Sequence, residues 1–120
     1  MKGFLGIMSL IFLMGCSSEI ERKPEPKNLI PKSEMIVVIR EMVKLESHIQ
    51  AKYAQVSAYN KVMVQSGDSL LRSYDLTKER FESALDYYGS RQDLMEEIYT
   101  QALEDLNKEL GELEAKLKTN

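Results

Sequence analysis

Few side chains of this chain could carry out catalysis or bind a metal. His48 is the only histidine and Cys16 the only cysteine among 120 residues, and no Glu-x-x-His or His-x-x-x-His pair supplies a second metal ligand. No serine lies in a Gly-x-Ser-x-Gly turn, and the sequence holds no glycine-rich phosphate-binding motif. Adjacent acids such as Glu96 and Glu97 point away from each other on a helix. The sequence therefore predicts no catalytic residue, no metal site and no cofactor, and a protein that is not an enzyme.

The first 15 residues differ in composition from the rest of the chain. Lys2 is their only charge, and the mainly apolar run of residues 4–14 would span only about 16 Å as a helix, roughly half the hydrocarbon core of a bilayer. This length is typical of a signal peptide and too short for a transmembrane helix. We therefore expect the mature protein to be exported.

The end of the apolar run, Leu13-Met14-Gly15-Cys16, resembles a bacterial lipobox. The resemblance implies that residues 1–15 are a lipoprotein signal peptide, that cleavage precedes Cys16, and that its thiol carries a diacylglycerol. Several acyl chains would hold the chain on a membrane without a transmembrane helix. The alternative is an ordinary secretory signal with an incidental thiol. The lack of any other cysteine excludes an internal disulfide and fits a lipid attachment point.

Residues 16–32 are predicted to be a lipidated N-terminus followed by a flexible tether. They contain all three prolines and few apolar side chains, a composition that favours an extended and solvated chain. Fully extended, the tether would reach roughly 50 Å from the lipid. Resemblance to enterobacterial sorting implies that an aspartate after the lipidated cysteine would retain the protein in the inner membrane, and Ser17 stands at that position instead. We therefore expect a cell-envelope protein of the outer membrane, on either its periplasmic or its surface face.

The charge of the chain argues against a nucleic-acid partner. The net charge is −3, and basic residues are interleaved with acidic ones without a basic run. Such a surface has no electrostatic attraction for phosphate backbones or anionic lipids. The membrane is therefore expected to be a partner only through the N-terminal lipid.

Residues 33–120 are predicted to form an all-α domain of two long and two short helices, arranged as a hairpin or small bundle. They contain no proline and only three glycines. Apolar residues at steps of three and four predict a first long helix over residues 34–64, with a break after Val56 as the alternative. A turn is expected at residues 66–69, followed by a short helix that contains Leu70 and Leu71.

Capping residues delimit the last two predicted helices. Residues 75–77 are typical of a connection, and Thr77 is a suitable N-cap for a short helix that carries Phe81, Ala84, Leu85 and Tyr88 on one face. Gly89 is expected to form a left-handed C-cap, and Ser90 is expected to cap the last helix.

The last helix carries a heptad pattern of apolar residues. They are spaced alternately four and three residues apart, as in a coiled coil, and comprise Tyr99, Leu103, Leu106, Leu110, Leu113 and Leu117. Two partners fit this pattern. It could pack on the first helix of the same chain, or it could form a coiled coil between chains.

Several motifs between about residue 28 and residue 106 carry a family resemblance. They are Asn28-Leu29-Ile30-Pro31, the run from Met35 to Leu45, Leu76-Thr77-Lys78-Glu79-Arg80-Phe81, Leu85, Tyr87, Tyr88, Leu94, Ile98 and Tyr99. This stretch resembles a family of small Bacteroidetes lipoproteins defined only as domain of unknown function 4296. The resemblance implies a fold and a location, and it supplies no activity, cofactor or site.

The tyrosines indicate a candidate interaction face. All but one of the aromatic residues after the signal peptide are tyrosines, which are common at protein interfaces. Tyr87 and Tyr88 are consecutive and cannot share one buried stripe of a helix, so we expect one of them to be exposed. The predicted function is a lipid-anchored helical interaction module, or accessory subunit, whose partner is another envelope protein.

Two other functions remain open from the sequence. One is a homo-oligomeric spacer that pairs through the heptad pattern. The other is a small-ligand carrier with an apolar cleft between helices, lined by Met42, Leu45, Met63, Phe81 and Leu85.

Overall fold

Four helices make up the fold of the part of the chain that the computed structural model describes, residues 20–119. Those residues contain no strand, so the predicted all-α fold is confirmed. The predicted signal peptide, the lipobox and Cys16 lie outside the described residues. The helices are α1 Lys32–Lys52, α2 Val56–Ser73, α3 Lys78–Gly89 and α4 Gln92–Lys118.

A break divides the predicted first long helix into α1 and α2, so the prediction of one helix over residues 34–64 is wrong. The backbone leaves helical geometry at Tyr53, whose φ of −119° and ψ of 99° are extended. Across the turn the Tyr59 hydroxyl donates a 3.0 Å hydrogen bond to Glu46 Oε1. The break lets α2 pack back on α1, although residues 53–55 contain neither proline nor glycine.

The predicted turn at residues 66–69 is also wrong, because α2 continues through it to Ser73. Gly67 is buried within α2, and a Cβ atom added there would lie 3.8 Å from Met42 Cε of α1. A side chain at this position would make an ordinary van der Waals contact with α1, so Gly67 is a helical residue that faces α1. The short helix predicted after the turn corresponds to the last turn of α2.

A Schellman motif ends α2. The N–H of Leu76 donates to Leu71 O at 2.9 Å, and the N–H of Asp75 donates to Arg72 O at 3.1 Å. Both leucines are buried, which supplies the hydrophobic contact that accompanies this motif. Asp75 holds the left-handed position, with φ of 55°. The connection predicted at residues 75–77 is thus confirmed.

Asp75→Gly is expected to raise the free energy of unfolding by about 0.5–1 kcal/mol, because glycine adopts a left-handed conformation without the steric cost borne by other residues. Urea denaturation measures the change. Asp75→Ala is the control, since alanine cannot relieve that strain and should be no more stable than the wild type. Equal gains for both variants would contradict the assignment.

The start of α3 matches its prediction, whereas the α3–α4 connection does not. Thr77 Oγ1 accepts from the N–H of Arg80 at 3.2 Å, so Thr77 is the N-cap. Gly89 is the last residue of α3 and has no positive φ. Ser90 does not cap α4, whose N-cap position is occupied by Arg91. The Ser90 hydroxyl instead donates to Tyr87 O at 2.8 Å, within its own connection.

α1 and α4 run parallel. Lys32 is paired with Glu97, and Lys44 Nζ donates to both carboxylate oxygens of Glu109, at 2.9 and 3.1 Å. Each pair joins residues 65 positions apart, which fixes the common direction of the two helices. The hydrogen bonds with Glu109 and then Glu41 raise the pKa of Lys44, and the bond from Lys44 lowers the pKa of Glu109. Exposed ion pairs of this kind contribute little to stability.

The core lies between these helices and takes residues from every helix and from the chain before α1. Its buried members are Ile30, Met35, Val38, Ile39, Leu71, Leu76, Ala84, Tyr88, Ile98 and Ala102.

Residues 23–31, here called the N-terminal segment, differ from the flexible tether predicted for residues 16–32. The segment contains a turn at residues 27–28 and no helix or strand, and it lies against the helical domain, with Ile30 fully buried and Leu29 partly buried. Burying two such side chains offsets part of the conformational entropy lost by the segment. The polar composition of residues 16–32 led to the prediction of a tether despite this apolar pair.

Candidate interaction surfaces

Tyr88 lies in the core and is unavailable as part of an exposed face. The residue is 4% exposed, and its hydroxyl donates a 2.8 Å hydrogen bond to Ile30 O in the N-terminal segment. Burial, followed by the proximity of Tyr87 and Glu25, raises the pKa of the Tyr88 phenol. Tyr88 therefore joins α3 to the N-terminal segment, a structural role that the sequence did not indicate.

Tyr88→Phe is expected to lower the free energy of unfolding by about 1–2 kcal/mol, because the buried carbonyl of Ile30 loses its donor. The raised pKa of the Tyr88 phenol also makes the stability of the wild type depend on pH. The neutral phenol is favoured in the folded state, so the wild type should lose stability as pH rises above about 10, the unfolded-state value, towards the folded pKa.

Urea denaturation at neutral and alkaline pH measures both effects. Tyr74→Phe is the control, since Tyr74 is 41% exposed and its loss should leave stability unchanged. A Tyr88→Phe variant as stable as the wild type, with the same alkaline profile, would contradict the assigned bond.

Tyr87 remains partly exposed, but its neighbours cover much of its ring. The Arg91 guanidinium lies 3.9 Å from the ring centroid, and the Tyr88 ring meets it edge-on with centroids 5.2 Å apart. Such a stacked arginine contributes a cation–π attraction. The expectation that Tyr87 contacts a partner stays a prediction, with Arg91 as part of the same surface.

Arg91 and Ser90 also hold the start of the N-terminal segment. The N–H of Lys23 donates to Ser90 Oγ at 2.9 Å, and Arg91 Nη1 donates to Lys23 O at 3.0 Å. Further along, Arg80 Nε donates to Asn28 O at 2.9 Å. The segment is therefore fixed at both ends and at its buried Ile30. In the sequence, only the apolar pair at residues 29–30 indicates that this segment docks on the domain.

The heptad pattern of α4 forms the main exposed apolar surface of the helix. The α4 strip, as we call it, has side chains 44–78% exposed and consists of Tyr99, Leu103, Leu110, Leu113 and Leu117. Leu106, in the same pattern, is partly buried. Because a helix turns about 100° per residue, the strip lies roughly 90° around α4 from the buried Ile98 and Ala102. The alternative in which the whole pattern packs on the first helix is therefore wrong.

The α4 strip is long enough for a helix to lie along it. Residues 99–117 extend about 27 Å along the axis, and side chains at steps of three and four are neighbours on the helix surface. Exposed apolar surface that is continuous over this length is typical of an interaction site.

The residues predicted to line a ligand cleft are mainly packing residues of the domain. All five are partly buried, and Met42, Phe81 and Leu85 pack against the core. A surface cleft lies elsewhere, between the residues that precede the N-terminal segment and the start of α4. It is open and has a mixed polar lining that includes Ile20, Arg22, Arg91, Met95 and Tyr99.

Within residues 20–119 we find no group of three or more His, Cys, Asp or Glu side chains arranged to hold a metal ion. His48 is exposed on α1. None of the four helices combines the length and the apolar character needed to span a bilayer.

No curated protein and no solved structure matches the chain. A family model matches residues 26–112, which include most of the N-terminal segment, all of α1, α2 and α3, and the larger part of α4. This match confirms the resemblance to domain of unknown function 4296. The chain therefore belongs to the family of the Domain of unknown function (DUF4296).

Proposed function

We propose that the protein is a lipid-anchored lipoprotein of the bacterial cell envelope and a non-enzymatic interaction module that binds another envelope protein through the α4 strip. The single observation that carries the interaction proposal is the exposure of the α4 strip on a helix whose other face is buried in the core. We also propose that the protein is one of the Bacteroidetes lipoproteins and that it lies in the outer membrane.

The spacing of the α4 strip favours a helical partner. Residues repeating alternately at four and three positions accept the side chains of a second helix between them, and helix-in-groove recognition uses the same anchors. Tyr99 adds an aromatic side chain with a polar end, a type enriched at interfaces. The strip thus supports a protein partner better than a small ligand.

Attachment through Cys16 is the second part of the proposal. Acyl chains buried in a leaflet contribute about 0.8 kcal/mol per methylene group, so two or three chains would hold the protein on a membrane. An anchored protein meets a partner in the same membrane at a higher effective concentration than a free protein would. The higher effective concentration compensates for the limited area of the α4 strip.

Metabolic labelling with an alkyne-tagged fatty acid tests the anchor. The wild-type protein should carry the label and sediment with membranes, whereas Cys16→Ser should lose the label and leave the membrane fraction. Ser17→Ala, which alters the neighbouring residue but keeps the thiol, should behave as the wild type. An unlabelled wild type, or a labelled Cys16→Ser variant, would refute the anchor.

A homo-oligomeric spacer is a second candidate, because the exposed heptad pattern of the α4 strip can also pack on the same strip of a second copy. Sedimentation of the mature Cys16→Ser chain distinguishes the candidates. A dimer favours the spacer, and a monomer favours a different partner protein.

A further inference from the structure

We infer that the membrane lies against one particular end of the domain, the end where α3 passes into α4, and that a linker of only seven residues, 16–22, holds it there. The inference rests on the proposed lipid at Cys16. It extends the proposal by assigning an orientation to the anchored protein and a lipid-facing surface to the domain.

The first step is that the N-terminal segment belongs to the folded domain. Its start is held by the bonds of Lys23 to Ser90 and Arg91, and its end by the buried Ile30. Tyr88 and Arg80 donate to two further carbonyls of the segment. The family match begins at residue 26, so most of the segment is part of the family domain as well.

The second step is the reach of the chain that remains. Seven residues span at most about 25 Å when fully extended, and a flexible chain of that length has a root-mean-square span of about 14 Å. The freely extended tether of residues 16–32 would have reached about twice as far. Docking of the N-terminal segment therefore keeps Lys23, and the domain surface around it, close to the lipid.

The third step is the direction of the helices. α1 and α4 both begin at the end where the N-terminal segment docks, as the pair of Lys32 with Glu97 shows, and both run away from it. The 27 residues of α4 extend about 40 Å. Leu110, Leu113 and Leu117 of the α4 strip therefore lie towards the far end, where they can reach a partner beyond the membrane surface.

At the end of the domain where α3 passes into α4, the side chains fit a surface that is held at the membrane by the linker and has no strong affinity of its own for lipid. Ile20 is 56% exposed and lies in the open cleft with Arg22, Arg91 and Tyr99, a mixture found at membrane interfaces. The same cleft includes three acids, Glu21, Asp93 and Glu96, which offset the cations. The domain without its lipid is therefore expected not to bind vesicles of neutral or anionic phospholipid.

Fluorescence quenching on vesicles tests the orientation with the full, lipidated protein. The sulfur of Cys16 is consumed by its thioether, so an introduced cysteine is the only free thiol and can carry a fluorophore. The two positions are Gln92→Cys, exposed at the start of α4, and Ala115→Cys, exposed near its end and off the α4 strip. The vesicles contain phosphatidylcholine and a minor fraction of lipid with a nitroxide on the headgroup.

We expect quenching at position 92 to exceed that at position 115 at least about threefold, because only position 92 stays within the reach of the linker. Inserting about 20 Gly and Ser residues between Arg22 and Lys23 should reduce quenching at position 92 towards the value at position 115. The same insertion after Asn120 is the matched control and should change nothing.

The outcomes separate this inference from the proposed function. A lipidated, vesicle-bound protein that is quenched equally at both positions, or more strongly at position 115, would overturn the orientation and leave the anchor intact. A protein that carries no lipid and does not bind the vesicles would overturn both. Preferential quenching at position 92 that disappears with the longer linker would support the inference.

Discussion

Ile30→Ala is expected to lower the free energy of unfolding by about 3 kcal/mol, although Ile30 lies outside the four helices. Its side chain is fully buried in the core, and its carbonyl accepts the hydrogen bond of Tyr88. Truncation would leave a cavity among helices that cannot close without moving the N-terminal segment. Urea denaturation of the mature Cys16→Ser chain measures the loss in solution.

Ile20→Ala is the matched control for this prediction. It removes the same atoms from the same polar stretch, but its side chain is 56% exposed and precedes the N-terminal segment. Its effect should stay within about 0.5 kcal/mol. If the two variants were equally stable, the N-terminal segment would not be part of the folded domain, and the seven-residue linker would lose its basis.

Replacing Leu110 and Leu113 together with serine is expected to weaken binding of the envelope partner at least about tenfold, which corresponds to about 1.4 kcal/mol, while the melting temperature changes little. Both side chains are 50% exposed on the α4 strip, so they contribute to a partner's interface more than to the core. Chemical crosslinking in intact cells, followed by purification of the tagged protein, measures the change.

Glu104→Ser with Lys108→Ser is the control pair. Both residues are exposed on α4, away from the α4 strip, and both substitutions replace a good helix former with serine. This pair should leave the crosslinked complex intact. Loss of the complex in both double variants, or in neither, would show that the strip is not the contact.

The fold class and several boundaries were predictable from the sequence because they depend on local signals. The scarcity of proline and glycine after residue 31 indicated helices, and Thr77 marked the start of α3. The α1–α2 break at residues 53–55 was expected only as an alternative, because the apolar spacing continues across it and the packing of α2 on α1 decides between the two. Gly67 led to the wrong prediction of a turn, whereas it lies buried within α2 and faces Met42 of α1.

The docked position of the N-terminal segment could not be predicted from its composition. Its prolines and charges indicate a solvated tether, whereas its position depends on Tyr88, which is 58 residues away in the sequence. A long-range bond of this kind leaves no periodic pattern. Tyr88 is buried because it shares the apolar face of α3 with Ala84, whereas the adjacent Tyr87 lies under Arg91.

The α4 strip could be located from the sequence but not assigned to a partner. Its heptad spacing fits packing within a chain as well as packing between chains, and only the position of α1 beside Ile98 and Ala102 shows that the strip is left uncovered. Exposure is therefore the information that the structure adds to the pattern.

Site-specific photo-crosslinking from the α4 strip in intact cells is the most direct test of the interaction module. A photoreactive amino acid replaces Leu110 on the strip or, as the control, Lys108 on the same helix but off the strip. We expect a discrete adduct with another envelope protein from position 110, none from position 108, and loss of the adduct with Cys16→Ser. No adduct from position 110, or equal adducts from both positions, would contradict the proposed function.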